Sequence, residues 1–258
     1  MNIAIILWVV YSNSKINNDT KSNPNASEAL MGAIINAIAI AVGGALGLLF
    51  REGFPERISQ TTLQVLGLFS LVLGLSMAIQ GRELMMVMIS LVLGAGLGEW
   101  INIEGRLDRL GGWLEKRLNL TEKSPAKGFI YASLLFCVGS IAIVGSITDG
   151  LTGNHSILVT KAIMDGIISI PFAATMGMGV LASAIPILLY QGGLTLLASK
   201  VQFFFTPVMV RELTSVGGVI VIGISINILG MQKVRAGNFI PALLFIVGIL
   251  YLRSFIHF

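Results

Sequence analysis

Charged residues are scarce in this chain of 258 residues: 12% are Asp, Glu, Lys or Arg, and 55% are hydrophobic. Soluble globular domains carry about 25% charged residues. The shortage of charge excludes an ordinary soluble domain, and the long apolar runs predict an all-α, polytopic transmembrane helical bundle. The 17 basic residues form no stripe with interleaved aromatic residues, so we expect the lipid bilayer and no nucleic acid as a partner.

Cysteine and histidine are also scarce, which limits the chemistry available to the chain. The single cysteine, Cys137, cannot form an intrachain disulfide, and we interpret it as a small buried apolar residue. The two histidines, His155 and His257, are far apart, so no metal-ligand spacing is present. No HExxH, nucleophile-elbow or Walker pattern occurs. We therefore expect no catalytic residue, no metal, no cofactor and no enzyme activity.

The apolar runs divide the chain into an extension and a membrane domain. Residues 1–30 combine a short apolar run with a polar stretch, and we interpret them as an N-terminal extension that is disordered or a weak anchor. Eight candidate spans follow, at about 32–50, 60–80, 84–101, 128–148, 156–177, 180–199, 212–231 and 238–256. The fifth and sixth spans are nearly continuous, so a count of seven is the alternative.

The segment 101–127 between the third and fourth spans has a different pattern. Its apolar residues recur at helical spacing with basic residues opposite, which predicts an interfacial amphipathic helix broken at Gly111–Gly112. Ten Lys and Arg residues, six of them in this segment, fall on one side of the membrane, and four fall on the other. The richer side should be cytoplasmic, which places Met31 and Phe258 outside the cytoplasm.

An internal repeat emerges when the chain is shifted by 149 residues against itself. The shift aligns four pairs of glycines, namely Gly43/Gly192, Gly44/Gly193, Gly74/Gly223 and Gly81/Gly230. Spans one to three (31–101) then repeat as spans six to eight (180–256), on either side of the central spans in 128–179. Because the offset is five spans, the second copy is inverted across the membrane, an arrangement found in many secondary transporters.

Several polar residues lie inside the predicted spans. Lys161 and Asp165 are four residues apart and share one helix face, where they form either a neutralising pair or a substrate, ion or proton site. The order Lys before Asp is the weaker one for such a pair and favours other partners for each. Asp149 is interpreted as part of an exposed turn, with a pairing to Lys161 as the alternative. The amides of Asn36, Gln191 and Asn227 are typical of side chains that join helices by hydrogen bonds. Glu99 is interpreted as a solvated residue at the end of its span.

Five segments carry a resemblance to a known family: "MGAIINAIAIAVGGALG", "LVLGAGLGEWINIEGRLDRLG", "LLFCVGSIAIVGSITDGL", "KAIMDGIISIPFAATMGMGV" and "YQGGLT". The chain resembles an uncharacterised bacterial inner-membrane family that includes YdfK and YqgA, from residue 31 to about 256. The resemblance implies a start near Met31 and a multi-pass protein of the bacterial cytoplasmic membrane, and it implies no substrate. The motif positions fall on Asn36, Glu99, Cys137, Asp149, Gly150, Lys161, Asp165, Gln191 and Gly192. The extension 1–30 departs from the family pattern.

Two functions remain open from the sequence. The first is a small secondary transporter or permease for a small molecule or ion, driven by a proton or ion gradient, with Lys161, Asp165, Asp149, Gln191 and Asn36 at the binding site. The second is a non-transporting scaffold, sensor or assembly partner that acts through the interfacial helix at 101–120, and a passive channel is a further alternative. The two inverted copies can lie within one chain, or two chains can face each other in a homodimer.

Overall fold

The computed structural model describes residues 26–51, 55–117 and 125–256, and within these ranges the chain contains helices and no strands. The predicted extension therefore lies mostly outside the described residues, as do residues 118–124 of the interfacial segment. The helices are α1 (Ala26–Ala29), α2 (Met31–Arg51), α3 (Glu56–Ala78), α4 (Leu84–Ile101), α5 (Ile103–Arg117), α6 (Pro125–Cys137), α7 (Ser140–Thr152), α8 (Ser156–Met176), α9 (Met178–Ala182), α10 (Ala184–Leu196), α11 (Ala198–Val201), α12 (Pro207–Ile228) and α13 (Ala242–Ile256). A 3₁₀ turn, Ala236–Phe239, precedes α13.

Seven helical segments in the described residues are long and apolar enough to cross a membrane. They are α2, α3, α4, α8, α9 with α10, α12, and the 3₁₀ turn with α13. Each has 18 to 23 residues, which at about 1.5 Å per residue matches a hydrocarbon core of about 30 Å. The prediction of a polytopic helical membrane bundle is confirmed.

The fourth predicted span is a broken helix. Helices α6 and α7 meet at a bend of 62°. Gly139 lies in the break with φ of 143°, a conformation that favours glycine. Gly128 near the start of α6 contacts Met176 at the last turn of α8, and Asp149 near the end of α7 hydrogen-bonds to His155 just before α8. Because α8 is about 31 Å long, α6 and α7 together extend from one end of α8 to the other, and they add an eighth crossing to the seven when the bent pair is counted as one span.

The two ends of the bundle follow from these contacts. We call the end that holds Met31, Thr152 and the start of α8 the Met31 end, and the opposite end the Arg51 end. Consecutive crossings alternate between the two ends, as the sequence-based topology requires. The richer basic segments lie at the Arg51 end, so this end is the predicted cytoplasmic one.

Glycines allow the closest helix crossings. A Cβ on Gly43 of α2 would lie 2.2 Å from the carbonyl oxygen of Gly166 in α8. A Cβ on Gly74 of α3 would lie 2.9 Å from the carbonyl oxygen of Gly218 in α12, and one on Gly94 of α4 would lie 2.3 Å from the backbone nitrogen of Ala242. Close approach of backbones is the usual source of helix association in a membrane, where lipid is as apolar as the helices. These crossings place α2 against α8, α3 against α12 and α4 against α13.

The predicted break of the interfacial segment at Gly111–Gly112 is wrong, because α5 is continuous from Ile103 to Arg117. Each glycine costs a helix about 1 kcal/mol relative to alanine. That cost is offset by packing, since α5 lies against α6 and against the 3₁₀ turn.

Candidate functional site

Lys161 and Asp165 form an ion pair in the interior of the bundle. Both lie on the face of α8 that is turned inward, and they are only 7% and 6% exposed. Lys161 Nζ donates a hydrogen bond to Asp165 Oδ2. The preference for other partners that the sequence order indicated is wrong for Lys161, which pairs with Asp165, whereas Asp165 does have a second partner in Asn36.

Two amides from other helices complete this site. Asn36 of α2 donates from Nδ2 to Asp165 Oδ2 at 3.1 Å and to Oε1 of Gln191 in α10 at 3.0 Å. Both amide side chains belong to wholly buried residues. We call Asn36, Lys161, Asp165 and Gln191 the central cluster. Four of the five site residues expected from the sequence thus meet, and three helices contribute them.

Backbone geometry explains why these helices meet at the cluster. Gly43 lies seven residues after Asn36, and Gly47 lies four residues after Gly43; a Cβ on Gly47 would lie 2.1 Å from the carbonyl oxygen of Ile170. This glycine face brings α2 close enough for the short side chain of Asn36 to reach α8. Asp165 lies nine residues from Ser156, about 14 Å along a helix of about 31 Å, so the cluster lies near the middle of the crossing.

One aromatic ring lies beside the central cluster. The ring of Phe136, near the end of α6, is 1% exposed, and its centre lies 6.0 Å from Lys161 Nζ. A cation over an aromatic face at this distance is attracted by the quadrupole of the ring. Phe136 precedes the break at Gly139 by three residues. The cluster therefore lies beside a discontinuous helix, whose break leaves backbone groups without intrahelical partners.

Asp149 lies apart from the central cluster. Its carboxylate is wholly buried in α7 and accepts the backbone N–H of Gly32 at 3.2 Å, while Nδ1 of His155 lies 2.5 Å from Asp149 Oδ1. Both the exposed-turn interpretation and the pairing of Asp149 with Lys161 are therefore wrong. The reason is that α7 continues to Thr152, and the chain then folds back through Gly153 so that His155 returns over Asp149.

A leucine separates this outer pair from the central cluster. Leu158 is wholly buried and lies one turn before Lys161 on α8. A Cβ on Gly32 of α2 would lie 2.8 Å from Leu158, and one on Gly145 of α7 would lie 2.9 Å from it. The apolar side chain is thus held between two glycines at the Met31 end of the cluster.

Some buried polar atoms in the described part of the chain have no hydrogen-bond partner. Two of them belong to the central cluster: the acceptor Asn36 Oδ1 and the donor Gln191 Nε2. Ser146 Oγ, on α7, is a third. Unmet donors and acceptors are uncommon in protein interiors, and each one calls for an explanation, such as strain, a catalytic role, or a bound water or ion.

Two residues with important contacts could not be singled out from the sequence. Glu212, wholly buried in α12, accepts the backbone N–H groups of Arg82 at 3.1 Å and Glu83 at 3.4 Å. Asn238 accepts the N–H of Glu104 at 2.7 Å and donates to Glu99 at 2.6 Å. Each contact joins positions more than 120 residues apart, so no local pattern reveals it.

The remaining polar predictions have mixed outcomes. Glu99 is a solvated span end as predicted, because its side chain is 55% exposed and pairs with the guanidinium of Arg235. The amide of Asn227 exchanges two hydrogen bonds of 2.7 Å with the backbone of Val234 in the following loop, and its side chain also hydrogen-bonds to Tyr131 of α6. Cys137 is half-buried rather than fully buried.

Glu104 marks a second polar region at the Arg51 end, outside the spans. A cavity of about 320 Å³ is lined by Glu104, Asp108, Lys127, Lys233 and other residues. Glu104 Oε2 accepts the N–H of Gly237 at 2.7 Å. Burial raises the pKa of the Glu104 carboxyl above its ordinary value, and the Gly237 hydrogen bond opposes this only in part. Nowhere in residues 26–51, 55–117 and 125–256 do three His, Cys, Asp or Glu side chains lie close enough to hold a metal ion.

Comparison with known proteins places the chain in a family. The chain is 31% identical over 220 residues to "Uncharacterized membrane protein YdfK" of Bacillus subtilis (strain 168), a match that covers 83% of this chain and 93% of the relative. It is 30% identical over 220 residues to "Uncharacterized protein YqgA" of Escherichia coli (strain K12), covering 83% of this chain and 94% of the relative. No solved structure matches the chain. The described part of the chain has seven helices able to cross a membrane, residues 31–251 match a family described as a protein of unknown function, DUF554, and the chain therefore belongs to this family.

Proposed function

We propose that this protein is a small secondary transporter of the bacterial cytoplasmic membrane that uses a proton or ion gradient. The central cluster is its binding site, with Asp165 as the gradient-linked carboxylate and Lys161 as its charge partner. The observation that carries the proposal is the buried Lys161–Asp165 pair near the middle of the bundle, in which Asp165 also accepts a hydrogen bond from Asn36 of a second helix.

The energetic cost of the pair supports a functional role. Insertion scales assign about 2.5–3.5 kcal/mol to a lysine or aspartate at the centre of a span. Replacing a buried ion pair by apolar residues of similar volume is often neutral or stabilising, so a pair of this kind is weak support for stability alone. Ionisable residues within spans usually line substrate, ion or proton pathways.

The broken crossing gives further support. Secondary transporters commonly bind their substrates near the midplane beside discontinuous helices, whose free backbone groups contact the ligand. In this bundle the break at Gly139 follows Phe136, whose ring faces Lys161. The cluster and the break are therefore adjacent at the middle of the bundle.

Helix packing supports an inverted repeat as part of the proposal. The first copy comprises α2, α3 and α4, and the second comprises α9 with α10, α12 and α13. Each helix packs against its own counterpart: α2 against α9 and α10, α3 against α12, and α4 against α13. Contacts between counterparts are expected when a pseudo-two-fold axis in the membrane plane relates two copies. Under the same axis, the packing of α8 on α2 corresponds to that of α6 and α7 on α9 and α10.

The scaffold alternative is less well supported by these contacts. It depends on the interfacial helix at 101–120, of which α5 covers the described part. The N-terminal turn of α5 is tied to the bundle, because Glu104 exchanges hydrogen bonds with Gly237 and Asn238. This part of α5 is therefore engaged in a contact within the chain, with the 3₁₀ turn that precedes α13.

Flux into proteoliposomes tests the proposed function. Full-length protein is reconstituted with a pH-sensitive dye inside, and amino acids, organic acids, nucleosides and small cations are added under an imposed pH or ion gradient. We expect one class of solute to drive proton or ion movement, and Asp165→Asn to abolish it. The matched control is Asp108→Asn, at an exposed carboxylate of α5, which should leave the flux unchanged. Equal flux in wild-type and Asp165→Asn vesicles would refute the proposal.

A further inference from the structure

The hydrogen bonds of the central cluster fix the orientation of both amides. Asp165 accepts from Lys161, and it also accepts from Nδ2 of Asn36, so the amide of Asn36 turns its NH₂ group toward the carboxylate. The same NH₂ group donates to Oε1 of Gln191. Reversing Asn36 would place its oxygen against an ionised carboxylate, and reversing Gln191 would place two NH₂ groups against each other. The orientations are therefore coupled to the charge of Asp165.

This orientation leaves two unmet groups of opposite kind. Asn36 Oδ1 is an acceptor without a donor, and Gln191 Nε2 is a donor without an acceptor. Both residues are wholly buried, where an unmet polar group is costly. A single ion cannot meet both needs, because a cation meets only the acceptor and an anion only the donor.

The charges of the cluster set a second condition. The charges of Lys161 and Asp165 cancel, and the ring of Phe136, which faces Lys161, is neutral. A ligand with a net charge would leave that charge without a counter-ion near the middle of the bundle. A ligand that is neutral overall but carries both a positive and a negative group meets this condition.

We infer that the central cluster binds a small zwitterion of the amino-acid class, an inference that rests on the proposed function and names its substrate class. The ammonium group of the ligand donates to Asn36 Oδ1 and lies beside the Asp165 carboxylate. The carboxylate of the ligand accepts from Gln191 Nε2 and lies beside Lys161. The ring of Phe136 is the apolar surface against which a small side chain packs.

The N–H groups of the ligand are essential in this arrangement, because Asn36 Oδ1 needs a donor. Glycine and glycine betaine provide the matched comparison: both are zwitterions with the same carboxylate, but the quaternary nitrogen of the betaine carries no hydrogen. Methylamine and acetate each carry only one half of the recognised charges. These four compounds separate recognition of the zwitterion from recognition of a cation or an anion.

Binding is measured on the purified full-length protein by thermal shift and by calorimetric titration with these four compounds, and with alanine and serine. We expect glycine, alanine or serine to bind, and glycine betaine, methylamine and acetate to bind at least about tenfold more weakly. Gln191→Met should weaken amino-acid binding by about tenfold or more, whereas the control Ser225→Ala, at a hydroxyl bonded within α12, should not. If Gln191→Met does not fold, the compound series on the wild type decides alone.

Equal binding of glycine and glycine betaine would overturn the inference, as would binding of methylamine or acetate alone. A panel in which none of the three amino acids binds would overturn it as well. These failures are distinguishable from failure of the proposed function. Asp165-dependent flux of a different solute would leave the transporter intact and reject only the zwitterion, whereas amino-acid binding without any flux would leave the site intact and reject transport.

Discussion

The Lys161–Asp165 pair allows a quantitative prediction about stability. Lys161→Met removes the cation and leaves Asp165 with the hydrogen bond from Asn36. Asp165→Asn leaves the ammonium group facing Phe136 at 6.0 Å without its counter-ion. Removing one partner of a buried pair costs about 3–5 kcal/mol, so each single change should lower the free energy of unfolding by about 3 kcal/mol or more.

The double variant Lys161→Met/Asp165→Asn should be far less destabilised than the sum of the two. It contains no unpaired charge, and the asparagine at position 165 can still accept from Asn36. We expect the double change to cost about 3 kcal/mol or less, which corresponds to a coupling energy of about 3 kcal/mol, at the upper end of the values for neighbouring residues. Reversible unfolding in mixed micelles, followed by far-UV circular dichroism, measures all four proteins.

An exposed ion pair in the same chain is the control for this cycle. The side chains of Glu99 and Arg235 are 55% and 58% exposed. Their coupling energy should be below about 1 kcal/mol, because water screens the pair. If the Lys161 and Asp165 changes were additive, or coupled no more strongly than Glu99 and Arg235, the two charges would not depend on each other and the reasoning would be refuted.

Three further predictions concern packing and pH. Gly43→Ala should destabilise the protein by forcing α2 away from α8, while Gly96→Ala, with open space around it, should be neutral or stabilising by up to about 1 kcal/mol in the same unfolding assay. Leu158→Ala should lower the free energy of unfolding by about 2–5 kcal/mol, because Leu158 is wholly buried. Ile167→Ala, on the same helix at a residue that is 63% exposed, should lower it much less, and equal losses would contradict the packing described. The raised pKa of Glu104 means that its protonated form favours the folded state: this contribution is complete below the ordinary value of 4.5 and is lost as the pH rises through the folded pKa. Glu104→Gln should flatten this part of the pH–stability profile, and an unchanged profile would contradict the assignment.

Apolar runs were sufficient to predict most of the fold. The helices α2, α4 and α8 begin and end within two residues of the predicted spans, because a run of about 20 apolar residues has few alternatives in a bilayer. The break at Gly139 was not predictable from these runs. A single glycine inside an apolar stretch is usually tolerated in a helix, and here the break accompanies the contact of Val138 with Gly217 of α12.

The central cluster could be predicted in part for a related reason. Polar residues inside apolar spans are few, and each needs a polar partner in the interior of the bundle. Asn36, Asp165 and Gln191 therefore had few possible partners other than one another. The position of Asp149 could not be obtained in this way. Its environment depends on the fold of the Gly153–His155 turn and on the approach of Gly32 from α2, which local sequence does not encode.

Accessibility of the central cluster from the two faces of the membrane tests the central claim most directly. Gln191→Cys in a Cys137→Ala background is exposed to a membrane-impermeant thiol reagent in right-side-out and in everted vesicles. Val216→Cys, at a wholly buried residue of α12, is the matched control. An alternating-access transporter predicts that position 191 reacts from each face and position 216 from neither. Protection of position 191 from both faces, or reaction from one face only, would contradict the account.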